Sequence, residues 1–370
     1  MDRRTGLVAI LALALFIPGL HVGDAAPKPP SFVYVHDDGT PNQVFGFSIS
    51  SKGVLAALPG SPFAAGPFGE GSFGAVNSAA YSRQRRLLFV GGTDGIVVFQ
   101  VAANGALTQV AGSPFASEEI QSVAVVESGP NTFVYALDPF EPSVLGFAVQ
   151  PDGSLVATPG TRYAAGNFPL CLSAAGNLVV AANEGDGTLS VYRAQGDGSL
   201  VASPGTPFTV PGAFITNVAV TPSGKFVYVP DFTTGAHRVF GFAAQSATGA
   251  LTPLSGSPFE TAVHDSPGVL ASPKPLIVAM GIPGGGGGPD LQVLRAKAAG
   301  TLKAGFSRSS GLMDLQNGAF SRNGKFMVVA SGESQAIRSF QVAGSGKLTL
   351  VSTGSLPGSS ELNGVVFAEP

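Results

Sequence analysis

A short hydrophobic strand pattern recurs seven times along this chain, and this repeat constrains the fold more than any other feature. The copies lie between 45 and 56 residues apart, and each is followed by a further strand pattern, a glycine turn and a strand that begins with leucine. Four short strands in a unit of this length are typical of a β-propeller blade. The seven copies are Phe32–Val35, Leu87–Val90, Phe133–Ala136, Leu178–Ala181, Phe226–Val229, Leu276–Ala279 and Phe326–Val329.

The two ends of the repeat indicate how the ring closes. The copy at Phe32 has no first strand before it, whereas Asn363–Phe367 reads as a first strand with nothing after it. Pairing the two segments would complete one blade and remove an open sheet edge. The sequence therefore predicts an all-β protein in which residues 31–370 form a seven-bladed propeller of four-stranded antiparallel blades.

The first 30 residues read as a targeting segment. Arg3 and Arg4 precede the apolar run Leu7–Phe16, and Gly23 and Ala25 are small residues at a cleavage point. We expect residues 1–25 to be a signal peptide and 26–30 a linker, which predicts a secreted or periplasmic protein. The apolar run is shorter than the about 20 residues that a membrane span requires, so no span is expected after cleavage.

Composition excludes several classes of function. The net charge is −3, whereas nucleic-acid binding requires a basic surplus. The single cysteine, Cys171, excludes a disulfide framework and is expected to be a buried thiol in a first strand. His36, His237 and His264 show no metal-ligand spacing and are expected to be scattered on the surface. A monomer is expected.

Three repeat units end in Gly-Ser-Pro-Phe, at 60–63, 112–115 and 256–259, and one unit carries the turn Pro222–Lys225. With these motifs the unit resembles the YVTN-type propeller repeat and, more closely, the seven-bladed lactonase family that includes the propeller-type 6-phosphogluconolactonases. The resemblance implies the propeller fold and lactone hydrolysis. It also implies a histidine where this chain has Leu170 and Thr216, whereas the family-like Val-Pro-Asp ending at Asp231 is kept.

Charge is divided between the two ends of the predicted disc. The loops between second and third strands and between blades share one end, here called the top face, and the remaining turns form the bottom face. The top loops as predicted hold 16 acidic residues and one basic residue, Arg308, whereas the bottom turns are mostly basic. Such a top face disfavours a phosphorylated sugar and suits a small neutral or cationic ligand or a basic protein surface. Alternatively, the charges only solubilise a charge-poor disc.

The polar residue at the end of each second strand forms a possible ring. We expect Asp37, Asp138, Asn183, Asp231 and Ser331 to surround the central channel and bind a ligand. Hard cations such as calcium take six to eight oxygen ligands, so Asp37, Asp138 and Asp231 are candidate ligands of a calcium ion. The alternative is that these side chains only begin turns through local hydrogen bonds.

Two functions follow. The first is a binding or scaffold protein that uses its acidic top face and is not an enzyme. The second is a lactone hydrolase similar to 6-phosphogluconolactonase whose active site differs from that of the family. In it Asp231, Asp138 or His36 would act as the general base.

Overall fold

The strands predicted from the repeat are strands in a computed structural model of the chain, which describes residues 31–66, 69, 77–281, 288–315 and 317–369. The predicted signal peptide and linker lie outside the described residues. β-Branched and aromatic residues fill the second strands, and positive-φ glycines such as Gly224 occupy the turns between strands.

The strands are numbered in chain order. Blade 1 contains β1 (Ser31–Asp37), β2 (Asn42–Ile49), β3 (Leu55–Ala57) and β4 (Phe63–Gly66), and blade 2 contains β5 (Ala79–Ser82), β6 (Leu87–Val90), β7 (Val97–Val101) and β8 (Leu107–Gln109). Blade 3 contains β9 (Ser122–Ser128), β10 (Asn131–Asp138), β11 (Ser143–Val149) and β12 (Leu155–Ala164). Blade 4 contains β13 (Pro169–Ala175), β14 (Leu178–Asn183), β15 (Thr188–Ala194), β16 (Leu200–Ala202) and β17 (Phe208–Thr209).

Blade 5 contains β18 (Ala219–Val220), β19 (Phe226–Pro230), β20 (Arg238–Ala244), β21 (Leu251–Pro253) and β22 (Phe259–Glu260). Blade 6 contains β23 (Gly268–Ala271), β24 (Leu276–Met280), β25 (Leu291–Ala296) and β26 (Leu302–Arg308). Blade 7 contains β27 (Asn317–Phe320), β28 (Phe326–Ser331), β29 (Ala336–Val342) and β30 (Leu348–Ser355), and β31 is Leu362–Ala368. One 3₁₀ turn spans Glu184–Asp186, and the described residues contain no α-helix.

Each blade is an antiparallel sheet, and the first strands of successive blades contact one another around a central axis. The second, third and fourth strands follow outward in that order. Because the strands are antiparallel, the loops sort onto a top and a bottom face as the sequence predicted.

The hydrophobic core is divided among the spaces between blades. The residues that the structure describes contain seven clusters of buried side chains, and each cluster joins two adjacent blades. Val33 and Phe45 of blade 1, for example, pack with Val328 and Ile337 of blade 7. Every blade therefore buries both of its faces only when its two neighbours are in place.

The predicted ring closure is confirmed. β31 pairs with β1 in antiparallel register, with Val33 opposite Phe367 and Val35 opposite Val365. The last strand of the chain is thus the first strand of blade 1, and the two ends of the described chain lie in one sheet.

Candidate functional site

The top end of the central axis is bridged by hydrogen bonds between first strands. The Ser78 amide donates to the Asn363 carbonyl at 3.1 Å, and the Val123 amide donates to the Asn77 carbonyl at 2.8 Å. The Asn77 side-chain amide reaches from blade 2 to the Leu172 carbonyl of blade 4, at 3.0 Å. These bonds link neighbouring and non-neighbouring blades across the top end of the axis.

A buried polar cluster adjoins this bridge in blade 1. His36 has no exposed surface, and its ring nitrogens lie 2.6 Å from Ser78 Oγ and 2.7 Å from Asn42 Oδ1. Asp38 is also buried and accepts a hydrogen bond from Asn363 Nδ2 at 3.1 Å. The expectation that His36 lies on the surface is wrong, and its enclosure argues against it as a base that meets a substrate.

The three predicted ring carboxylates each accept hydrogen bonds from backbone amides of top-face loops. Asp138 accepts from the amides of Phe140 and Glu141, at 3.1 and 2.9 Å. Asp37 accepts from the Glu361 amide at 3.1 Å, and Asp231 accepts from the Thr233 amide at 2.9 Å. Asp138 and Asp231 show the local turn bonding that the sequence left open as the alternative, whereas Asp37 binds a segment more than 300 residues away in the chain.

The two uncharged ring residues are engaged in the same way. The Asn183 side-chain amide donates to Ser190 Oγ at 2.9 Å, and Ser331 Oγ accepts from the Ser334 amide at 3.0 Å. All five ring residues are buried, and they end second strands, which lie one strand outward from the axis. The first strands lie between them and the axis, so the expectation that they line the central channel and bind a ligand gains no support from the strand order and stays a prediction.

Whether the described side chains could hold a metal ion depends on their arrangement. Across residues 31–369, apart from the segments left undescribed, no group of three or more His, Cys, Asp or Glu side chains is arranged to hold a metal ion. Calcium binding by Asp37, Asp138 and Asp231 gains no support from this geometry and remains a prediction.

Arginines reach the top face from strands that the sequence analysis left outside it. Arg162 contacts Asp138 Oδ2 at 2.9 Å, and Arg238 contacts Asp231 Oδ2 at 2.6 Å. Arg338 donates to the Ser310 carbonyl in the loop between blades 6 and 7. The expectation of a single basic residue on the top face is wrong, because long side chains at strand ends extend past the strand boundary.

Glu119 is the carboxylate that sequence reasoning missed. It lies in the loop between blades 2 and 3, which is held by a 3.0 Å bond from the Ile120 amide to the Gly92 carbonyl. Burial raises the pKa of Glu119, and the nearby carboxylates of Asp138 and Asp38 raise it further. No sequence signal indicates that Asp38 from another blade approaches it.

Two buried polar atoms near the axis have no partner in the part of the chain that the structure describes. They are Gln121 Nε2, a donor, and Asn363 Oδ1, an acceptor. Both residues lie at the top ends of first strands, in blades 3 and 1, and both are less than 4% exposed (3% and 0%). Buried polar atoms are nearly always satisfied, so this region has unused capacity to bind a polar molecule.

Aromatic side chains flank the top loops of blades 3 to 5. Phe140 and Phe168 meet edge to face with ring centroids 6.5 Å apart, and Phe214 stacks on Phe232 at 5.9 Å. Phe140 is 62% exposed and Phe214 is 40% exposed. Exposed aromatic faces next to polar groups are common in sites for small molecules.

Comparison with known proteins identifies the fold. No protein-family model and no curated protein matches the chain. A periplasmic gluconolactonase of Pseudomonas aeruginosa is 18% identical in sequence over 92% of this chain and 100% of its own, with a TM-score of 0.69. Candidate 6-phosphogluconolactonases of Bacteroides fragilis and Bacteroides uniformis are each 15% identical over 93% and 92% of this chain and 99% and 100% of their own, with TM-scores of 0.67 and 0.69.

The fold is that of the propeller-type lactonases. Within this fold, the two positions where the resemblance implies a histidine are closed. Leu170 has no exposed surface, and Thr216 is buried and donates to the Pro267 carbonyl at 3.0 Å. Neither residue offers a base. The described part of the chain contains no helix that is long and apolar enough to cross a membrane.

Proposed function

We propose that the protein binds and hydrolyses an unphosphorylated sugar lactone on its top face, with Glu119 as the general base. The observation that carries the proposal is the raised pKa of Glu119, caused by burial and by the Asp138 and Asp38 carboxylates. A carboxylate whose pKa is raised is a stronger base, and this one lies on the top face beside Asp138 and Asp38.

The chemistry requires one proton carrier. Ionised Glu119 takes a proton from a water molecule as the water oxygen bonds to the lactone carbonyl carbon. The bond between that carbon and the ring oxygen then breaks, and protonated Glu119 returns the proton to the departing ring oxygen. The product is a hydroxy acid, and the carboxyl group ends the cycle ionised.

The charges of the top face favour a substrate without phosphate. The Arg162 and Arg238 guanidinium groups are already paired with Asp138 and Asp231. A phosphate there would have to displace these buried carboxylates or face Glu119 and Asp38 unpaired, and both arrangements are unfavourable. The exposed rings of Phe140 and Phe214 offer apolar surface to a sugar ring instead.

The test is proton release from glucono-δ-lactone, measured above its spontaneous hydrolysis, with 6-phosphogluconolactone alongside. We expect the unphosphorylated lactone to be preferred and Glu119→Gln to lower kcat by about 100-fold or more. Glu333→Gln, at an exposed top-face glutamate, is the matched control and should retain full activity. Equal activity of Glu119→Gln and wild type, or a preference for the phosphorylated lactone, would contradict the proposal.

A binding protein without catalysis is the second candidate. It is supported by the two unpartnered polar atoms near the axis and by the absence of the family-like histidine. In that case gluconate or the lactone would bind measurably by calorimetry, turnover would be absent, and Phe140→Ala would weaken binding. The signal peptide predicted at residues 1–25 supports a secreted or periplasmic location for either function.

A further inference from the structure

A shallow cavity lies on the bottom face, where three first strands end. The cavity has a volume of about 410 Å³ and is lined by the lower ends of the first strands of blades 7, 1 and 2. This volume falls within the range of about 300 to 1,000 Å³ that is usual for small-molecule sites. None of the residues that line it takes part in the proposed reaction on the top face.

The walls of the cavity are apolar. Phe320 projects from β27, and Val365 and Phe367 belong to β31. Val365 is buried, whereas the two phenylalanines remain half-exposed. These groups would gain by covering their surface with the apolar body of a ligand.

Two arginines stand at the mouth of the cavity. Arg83 follows β5 and Arg322 follows β27, so they flank β31 from either side. Among the ion pairs of the described residues, neither guanidinium group has a carboxylate within 4.0 Å. Unpaired guanidinium groups beside an apolar wall are the usual means of recognising a carboxylate, often through two parallel hydrogen bonds.

The acidic groups around the mouth are already engaged. Glu369 Oε2 accepts a 2.6 Å hydrogen bond from the Arg322 backbone amide. Glu127 Oε1 accepts from Ser82 Oγ and from the Gln84 amide, both at 2.8 Å. These bonds hold both carboxylates at the turns, but Glu369 lines the cavity and keeps its charge, so the two guanidinium groups outnumber a single carboxylate there.

Tyr81 adds a hydroxyl donor. It is half-buried in the cavity wall, and burial raises its pKa, with Glu127 also raising it and Arg86 and Arg83 opposing. The phenol therefore stays protonated at physiological pH and can donate to an anion.

We propose that this cavity, which we call the lower axial site, binds a small monocarboxylate with an apolar body, held by Arg83 and Arg322. The bottom turns carry further positive charge, including Lys225 of blade 5, Lys274 of blade 6 and Lys325 of blade 7, which attracts anions to this face. A second cavity of about 730 Å³ shares Phe367 and Glu369 with the first and contains Lys325, so a longer apolar body has room to extend between blades 7 and 1.

The experiment uses 4-phenylbutyrate and its uncharged analogue 4-phenylbutyramide as probes in isothermal titration calorimetry. The site predicts that the carboxylate binds and that the amide binds at least about tenfold more weakly, because charge-assisted bonds to arginine are lost. Arg83→Gln and Arg322→Gln should each weaken carboxylate binding by about tenfold or more. Added salt should weaken it as well.

Controls separate this site from the rest of the molecule. Lys225→Gln, in a bottom turn of blade 5, should bind 4-phenylbutyrate like wild type, and so should Glu119→Gln on the top face. Three outcomes would each overturn the proposal. They are equal affinities for the acid and the amide, no binding of the acid at about 10 mM, which is a concentration about 10,000-fold above the Kd of a micromolar site, and unchanged binding by folded Arg322→Gln. Melting temperatures of all variants show which ones are folded.

Discussion

Single glycines determine how neighbouring blades lock together. In blades 1, 3 and 5 the second strand carries a tyrosine whose hydroxyl donates to the carbonyl of a glycine in the bottom turn of the next blade. The three bonds join Tyr34 to Gly105, Tyr135 to Gly198 and Tyr228 to Gly300, at 2.7, 2.9 and 2.5 Å. A phenylalanine two residues before each tyrosine packs on the same glycine, which leaves no room for a side chain.

Gly198 provides the first prediction. Its φ of +84° is unfavourable for other residues, and a Cβ there would lie 2.4 Å from Phe133. We expect Gly198→Ala to destabilise the fold by about 2 kcal/mol or more, from backbone strain and overpacking together. Gly196→Ala in the same turn is the control, because a Cβ at Gly196 meets nothing within 4 Å. Urea denaturation should separate the two variants, and equal losses would contradict this reading.

Asp231 provides a prediction for pH. Burial alone would raise its pKa, but hydrogen bonds from Thr233, the Arg238 side chain and the Phe214 amide outweigh it and lower the pKa. The carboxylate is therefore more stable in the fold than in the unfolded chain, where its pKa is about 3.9. Its contribution is complete above that value and is lost as the pH falls through the folded pKa.

We expect Asp231→Asn to cost about 2 kcal/mol at pH 7 and progressively less below pH 4. Denaturation curves between pH 3 and pH 7 test this. Asp94→Asn, at an exposed top-face position, should match wild type throughout. A stability difference between Asp231→Asn and wild type that does not change with pH would show that the carboxylate charge is not responsible.

At the scale of strands, the serine of the Gly-Ser-Pro-Phe motif accepts a hydrogen bond from a third-strand amide where the fourth strand is interrupted. In blade 2 the Val110 amide donates to the Val98 carbonyl, the chain then leaves the sheet, and Phe115 rejoins it opposite Ile96. Ser113 Oγ accepts the Val98 amide at 2.8 Å in the gap. The same bond recurs from Gly46 to Ser61, Val191 to Thr206 and Gly241 to Ser257. The hydroxyl thus replaces a missing strand carbonyl.

Ser113→Ala should leave the buried Val98 amide without an acceptor and cost about 1 to 3 kcal/mol. Ser113→Thr should cost much less, because Thr206 makes the equivalent bond in blade 4. Thermal melts of both variants provide the comparison. If alanine and threonine had the same effect at this position, the hydroxyl would not be the important group.

At the scale of the whole molecule, stability depends on closing the ring. The cores lie between blades, so opening one interface exposes the cluster that joins blades 7 and 1, with Val33, Val328 and Val365 among its members. β31 provides the innermost strand of blade 1 and contacts the first strands of both neighbouring blades.

Removing residues 362–370 should therefore abolish cooperative folding or lower the melting temperature by more than 10 °C, which for a chain of this size corresponds to several kcal/mol. Removing only residues 369–370 is the control and leaves β31 intact, so its melting temperature should stay near that of the full chain. A chain without β31 that melts like wild type would contradict the role assigned to closure.

The sequence by itself determined the blade number, the order of the four strands and the closure by both ends. These follow from local pattern, because the Phe32 copy lacks a first strand and Asn363–Phe367 supplies one. Buried Cys171 was also predictable from its place in a first strand.

Only the tertiary structure decided which side chains share a site. Asp38, Glu119 and Asp138 come from three separate parts of the chain, and the sequence does not show that a seven-bladed ring brings them close. Arg162 and Arg238 neutralise carboxylates that the sequence left unpaired, because their side chains reach beyond the strand ends. His36 is buried because it is hydrogen-bonded between Ser78 and Asn42, which the sequence does not show. Strand pattern is set by neighbours in the chain, whereas pairing of charges depends on distances between blades that are set only when the ring closes.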